Sequence, residues 1–126
     1  MTLEQEKRFL LLLSSYDLKS RKKIITKENV LDNIVDHSWI YLTNFDTALK
    51  SNRNEEVWRN DLAFIRKHLA MSGCFVSGIR NDWSITENGI YELHTLFAVI
   101  KGVNHLQKVT SKAICDAYII LENVHH

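Results

Sequence analysis

Glu55-Glu56-Val57-Trp58-Arg59-Asn60-Asp61-Leu62-Ala63-Phe64-Ile65-Arg66-Lys67-His68-Leu69-Ala70-Met71-Ser72-Gly73-Cys74-Phe75-Val76-Ser77-Gly78-Ile79-Arg80-Asn81-Asp82-Trp83-Ser84-Ile85 changes its hydrophobic period at Gly73. Before the glycine, Trp58, Leu62, Ile65 and Leu69 recur at steps of four, three and four, which puts them on one face of a helix. Gly73 is the residue type that ends a helix just past its C-terminus. Beyond it, Cys74 to Ser77 and Trp83 to Ile85 have the composition of two short strands around a turn at Gly78 to Asp82. The stretch therefore predicts a helix over 55–72 followed by a β-hairpin over 74–85.

The flanks read as helices. Thr2, with Gln5 three places on, is a capping pair that opens a helix over 2–16, and its Leu10 to Leu13 run is too dense for a single stripe, which predicts burial on more than one side. Lys19 to Lys23 reads as a polar, basic connection, Lys23 to Thr26 has the β-branched content of a short strand, and Thr26 caps a helix over 27–37 with Val30, Leu31, Ile34 and Val35 on its apolar side. The region 38–54 is weakly patterned; a short helix near Asp46 to Lys50 and a turn at Ser51 to Asn54 are expected there. Thr86 caps a further helix that carries Ile90, Leu93, Leu96, Phe97 and Ile100 and breaks at Gly102. A last helix, 111–124, places Ile114, Ala117, Tyr118, Leu121 and Val124 on one stripe. The expected fold is mainly α, one domain over 1–126: a winged helix-turn-helix core at 24–101 with one small β-hairpin and extra terminal helices at 2–16 and 111–124.

Composition narrows the function. Sixteen Lys and Arg against 15 Asp and Glu leave a formal charge of +1, so any affinity for nucleic acid must come from local clustering. No apolar run approaches the length that crosses a bilayer, and the charged start lacks the features of a signal peptide. Cys74 and Cys115 have no ligand or redox spacing and read as buried free thiols, which points to a reducing, cytoplasmic setting. The closing pair His125-His126 carries no functional weight.

With Trp58, Leu62, Ile65 and Leu69 facing inward, Asn60, Ala63 and Lys67 face outward, and Arg59 and Arg66 run along one flank. These residue types suit phosphates and base edges, Arg pairing with guanine and Asn with adenine. The hairpin turn adds Arg80 and Asn81, and Arg21, Lys22 and Lys23 form a second basic cluster. The candidate DNA-binding set is Arg59, Asn60, Ala63, Arg66, Lys67, Arg80, Asn81, Arg21, Lys22 and Lys23. Trp58 and Trp83 are read as core residues, Trp83 pinning the wing.

The segments Glu56 to Gly73 and Trp83-Ser84-Ile85-Thr86-Glu87-Asn88-Gly89 resemble the N-terminal winged-helix domain of Mrr-type restriction endonucleases, in which an aromatic opens the helix, a leucine and a glycine close it, and a Trp-x-Ile-Thr-x-x-Gly-like segment follows the wing. The resemblance covers about a third of the chain. It implies a DNA-binding module that normally accompanies a nuclease, without the nuclease half.

Catalytic chemistry is not expected. There is no acidic pair followed by a Glu-x-Lys-like segment, and His37, His68, His94 and His105 lack the i, i+4 spacing of metal ligands. No glycine-rich phosphate loop supports a nucleotide cofactor, and Cys74 has no histidine partner to make it a nucleophile. The expected partner is double-stranded DNA, read by sequence or base modification in a restriction system or by a small regulator, with a homodimer through the terminal helices. The competing reading is a protein-interaction module on the same scaffold.

Overall fold

Threonine starts most of the helices. Thr2, Thr26, Thr43 and Thr86 stand in extended backbone one residue before a helix, and each hydroxyl accepts from the backbone N–H three residues on. Thr110 does the same for Ala113 at the head of the last helix. Each bond satisfies one of the N–H groups that a helix start leaves without an internal partner, worth about 1 kcal/mol apiece. The computed structural model describes residues 1–50 and 54–122. Within them lie α1 (Leu3–Ser20), α2 (Lys27–Asp36), α3 (Asn44–Thr47), α4 (Val57–Met71), α5 (Glu87–Ile100) and α6 (Ser111–Glu122). The architecture is mainly helical. Most of the expected turn at 51–54, as well as Val124, His125 and His126, lies outside the described residues.

Three helices end the same way. Lys23, Trp39 and Cys74 each donate a backbone N–H five residues back, to Leu18, Ile34 and Leu69. The residue before each has positive φ: Lys22 at 57°, Ser38 at 57° and Gly73 at 83°. This closure satisfies the orphan carbonyls of α1, α2 and α4. It also explains a correction, because α1 runs to Ser20 rather than stopping at Tyr16: Asp17 and Leu18 are buried and the stop comes at Lys22.

α1 is the axis of the molecule. Phe9 to Leu13 are fully enclosed, as are Ser14 and Ser15, and α1 packs against α2, α4, α5 and α6. The dense leucine run is therefore buried on several sides, as its pattern predicts. Glu6, itself buried, anchors the distant loop before α6 by accepting the backbone N–H groups of Gln107, Lys108 and Val109.

Other expectations need correcting. The segment Lys23 to Thr26 is not a strand; Ile24 is exposed, its carbonyl accepts from the Asn29 side chain, and the segment's backbone bond to the hairpin is the Ile25 carbonyl accepting the N–H of Trp83. The hairpin is reduced to one antiparallel bridge, Phe75 with Ile85, flanked by bonds from Val76 N–H to the Ser84 carbonyl and from Thr86 N–H to the Cys74 carbonyl. α3 lies at Asn44–Thr47 instead of 46–50, because Thr43 and Asp46 form a reciprocal cap there. α2 ends at Asp36, and Val35 points outward. On α6 the buried stripe is Ala113, Ala117 and Leu121, while Tyr118 and Cys115 are exposed. No described helix is long and apolar enough to cross a membrane.

Trp39, in the weakly patterned region, proves to be a core residue. It is fully buried, its Nε1 donates to Asp116 at 2.8 Å, and His37 stacks on its ring. Burial alone would raise the Asp116 carboxyl, but hydrogen bonds from Lys112 and Trp39, with the charges of Lys112 and His37, hold it below the usual carboxylate range.

Candidate nucleic-acid interface

α4 buries Trp58, Leu62, Ile65 and Leu69, the four residues whose spacing predicts its inner face. The opposite side is the stripe Asn60, Phe64, Lys67 and Met71, at steps of four, three and four. Lys67 is exposed, Phe64 and Met71 are 58% and 78% exposed, and Asn60 is half-buried. Phe64 and Met71 were not among the sequence candidates, although the same helical spacing that gives the inner face places them on the outer one. Ala63 lies partly against the core.

The two flanking arginines are both engaged. Arg59 bonds to Asp32 of α2 at 3.0 Å and lies over the Trp58 ring. Arg66 turns toward the hairpin, where its Nη2 donates to the carbonyls of Val76 at 3.0 Å and Asp82 at 2.8 Å while its guanidinium lies over the Trp83 ring. Burial lowers the Arg66 pKa, an effect partly offset by the charge of Asp82. Arg66 thus spans both strands of the hairpin and fastens them to α4, a positional role rather than a free cation on the surface.

Three further elements hold the hairpin. Ser15, fully buried on α1, donates to the Trp83 carbonyl at 2.7 Å and accepts the Ile85 N–H at 2.9 Å. The Asn81 side chain accepts the backbone N–H of Lys27, which ties the turn to the start of α2, and Asn81 itself takes φ 56°. Behind the hairpin, Gly89 of α5 sits so close to the Cys74 carbonyl that an added Cβ would lie 2.1 Å from that oxygen. A short ladder is weak by itself; here α1, α2, α4 and α5 fix it. Gly78, at φ 80°, turns the chain, and Ile79 and Arg80 project at its tip, both exposed.

Between α4 and this tip runs an open cleft of about 510 Å³ that Arg66, Lys67, Met71, Ile79 and Arg80 help to line. The other sequence candidates lie apart from it. Arg21 bonds to Asp17 and Asn33, and Arg21 and Lys23 line a separate depression with Asp32 and Asp36; Lys22 is exposed in the turn after α1. The outer side of α2 is acidic, with Glu28, Asp32 and Asp36 exposed. Among the described residues, no group of three or more His, Cys, Asp or Glu side chains could hold a metal ion.

No family model, curated protein or solved structure matches the chain.

Proposed function

We propose that this chain is a winged helix-turn-helix domain that binds double-stranded DNA, with α4 as the recognition helix and the 74–85 hairpin as the wing. Its role is that of a recognition module in a restriction system, reading sequence or base modification, or of a small regulator in the cytoplasm, without catalysis of its own. The observation that carries the reading is the coupling of α4 to the hairpin through Arg66, which sets Lys67 and Arg80 on either side of one cleft. Base and phosphate contacts need donors held in fixed relative positions, and a hairpin fastened to the recognition helix supplies that. The bond from Trp83 N–H to the Ile25 carbonyl adds support, since a winged helix joins the segment before its second helix to the wing.

The test is duplex binding by the double variant Lys67→Ala with Arg80→Ala. Both side chains are exposed, so the fold should survive while affinity falls at least tenfold, about 1.4 kcal/mol. Unchanged affinity would remove α4 and the wing from the interface. A second reading, an interface for a protein partner, draws on the exposure of Met71 and Ile79 in the same cleft and of Phe64 on the outer side of α4. It predicts binding that persists as salt rises, opposite to the DNA reading.

A further inference from the structure

The chain leaves α5 at Lys101 and reaches α6 at Ser111 by a loop whose two halves are held differently. The second half is fastened to the body of the molecule: buried Glu6 accepts the N–H groups of Gln107, Lys108 and Val109, Val109 pairs with Ile40, and the Trp39 carbonyl accepts the Thr110 N–H. The first half is fastened only to the last turn of α5, through Gly102 N–H to the Val99 carbonyl and Val103 N–H to that of Ile100. Walls held this way at both ends do not collapse onto each other. Between the loop, the end of α5 and the first turns of α6 they leave a cavity of about 350 Å³.

The lining of this cavity says what fits it. Its apolar surface comes from Ile100 and Val109, both buried, and from Val103, Leu106 and Ile114, half-buried. Tyr41 and Cys115 line it and are exposed, which marks the side open to solvent. Lys101 is the one charged residue in the lining, and it has no ion-pair partner among the described residues; its Nζ lies 5.6 Å from the Phe97 ring centroid and 5.9 Å from that of Tyr118. Asn104 and Ser111 add neutral polar groups, and no carboxylate lines the cavity. An apolar surface with a few convergent polar groups is the usual make-up of a small-molecule site.

We propose that this cavity binds a small organic acid, with its apolar body against Ile100, Val103, Leu106 and Ile114 and its carboxylate toward Lys101. A cationic ligand would meet an ammonium and no acid, and a neutral one would leave that ammonium partly desolvated without a partner. Water fills ~30 Å³ per molecule, so the space suits an acid of about a dozen non-hydrogen atoms. The cavity shares no lining residue with the cleft between α4 and the hairpin, so the proposal stands apart from the DNA reading.

Three probes with one ring system and different charge test it: 1-naphthoate, 1-naphthylmethanol and 1-naphthylmethylammonium, titrated into the ¹⁵N-labelled full chain at about pH 7. Naphthoate should shift the amides of Asn104, Ser111 and Ile114 with a Kd of about 1 mM or tighter, at least about tenfold tighter than the alcohol, with the ammonium weakest. Lys101→Met should bring acid and alcohol within about threefold of each other. Cys115→Trp should plug the open side and remove binding of both. Because Cys115 is exposed, that variant should keep its fold, and the unaltered chain gives a second reading of the same position: naphthoate should slow alkylation of Cys115 by iodoacetamide, while Cys74 is buried. The proposal fails if naphthoate causes no shifts at about 10 mM, if the alcohol or the ammonium binds as tightly as the acid, or if naphthoate leaves Cys115 alkylation unchanged. Duplex binding by the same protein, measured separately, decides the DNA reading on its own.

Discussion

Replacing Ser15 by Ala removes one oxygen from the centre of the molecule and strips two backbone groups of the hairpin. The hydroxyl donates to the Trp83 carbonyl and accepts the Ile85 N–H, and neither group has another partner among the described residues. Ser15 is fully enclosed, Ile85 is 2% exposed and Trp83 6%, so water cannot take the place of the lost oxygen. Each buried backbone group left unpaired costs about 1–3 kcal/mol, giving about 2–6 kcal/mol together. The better helix propensity of alanine returns at most about 0.5 kcal/mol. A net loss of about 2–5 kcal/mol is a large part of the ~5–15 kcal/mol that holds a domain of this kind folded. Urea unfolding followed by the fluorescence of the three tryptophans should show a lower midpoint with an unchanged slope. The Ile85 amide should exchange with solvent faster than those of α1. A stability loss below about 1 kcal/mol, with that amide still protected, would refute the idea that α1 carries the hairpin through Ser15.

Gly89→Ala places a methyl group against the Cys74 carbonyl and should destabilise the fold by several kcal/mol, read as a lower melting temperature; a neutral result would mean that α5 can shift away from the hairpin. Asp46 and Asp116 both have depressed pKa values: for each, burial opposes ionisation but hydrogen bonds and charges from Lys108 and Thr43, or from Lys112, Trp39 and His37, outweigh it. Their folded values lie below the unfolded ones, so their contribution is present above pH ~4 and is lost as pH falls through the folded values. Acid titration of stability should steepen below pH ~4, and Asp46→Asn should flatten that fall. Self-association through α6 would use its exposed Tyr118 and Ile119. Light scattering should then give twice 14.7 kDa, with Ile119→Asp returning the monomer; a monomer mass for the unaltered chain at high micromolar concentration contradicts it.

Most of the helical frame was legible because it rests on local rules. Threonines before apolar-periodic runs mark the starts of α1, α2, α5 and α6, and the Trp58, Leu62, Ile65, Leu69 spacing marks the inner face of α4. What escaped depends on distant partners. The orientation of Arg66 is decided by carbonyls in the hairpin, ten and sixteen residues away, so the helical wheel alone reads it as a surface cation. Trp39 is enclosed by α6 and paired with Asp116, 77 residues on, and its own neighbourhood gives no period. The segment at Ile25 has strand-like residues but meets the hairpin through a single hydrogen bond, too little to form a strand. Phe64 and Met71 share the outer face of α4 with Lys67 by the same helical spacing, but they carry no charge that marks them as binding residues.

Duplex DNA binding by the face of α4 and the hairpin is the central proposal, and the dependence of that binding on salt tests it most directly. If Arg59, Lys67 and Arg80 each meet one phosphate, log K should fall with log salt at a slope of about −2.7, so that affinity drops about 40-fold between 50 and 200 mM salt. Arg59 would have to exchange its Asp32 partner for a phosphate, and without that exchange the slope falls toward about −1.8. No binding to duplex DNA at 50 mM salt, or binding whose strength does not change over that range, would contradict the account.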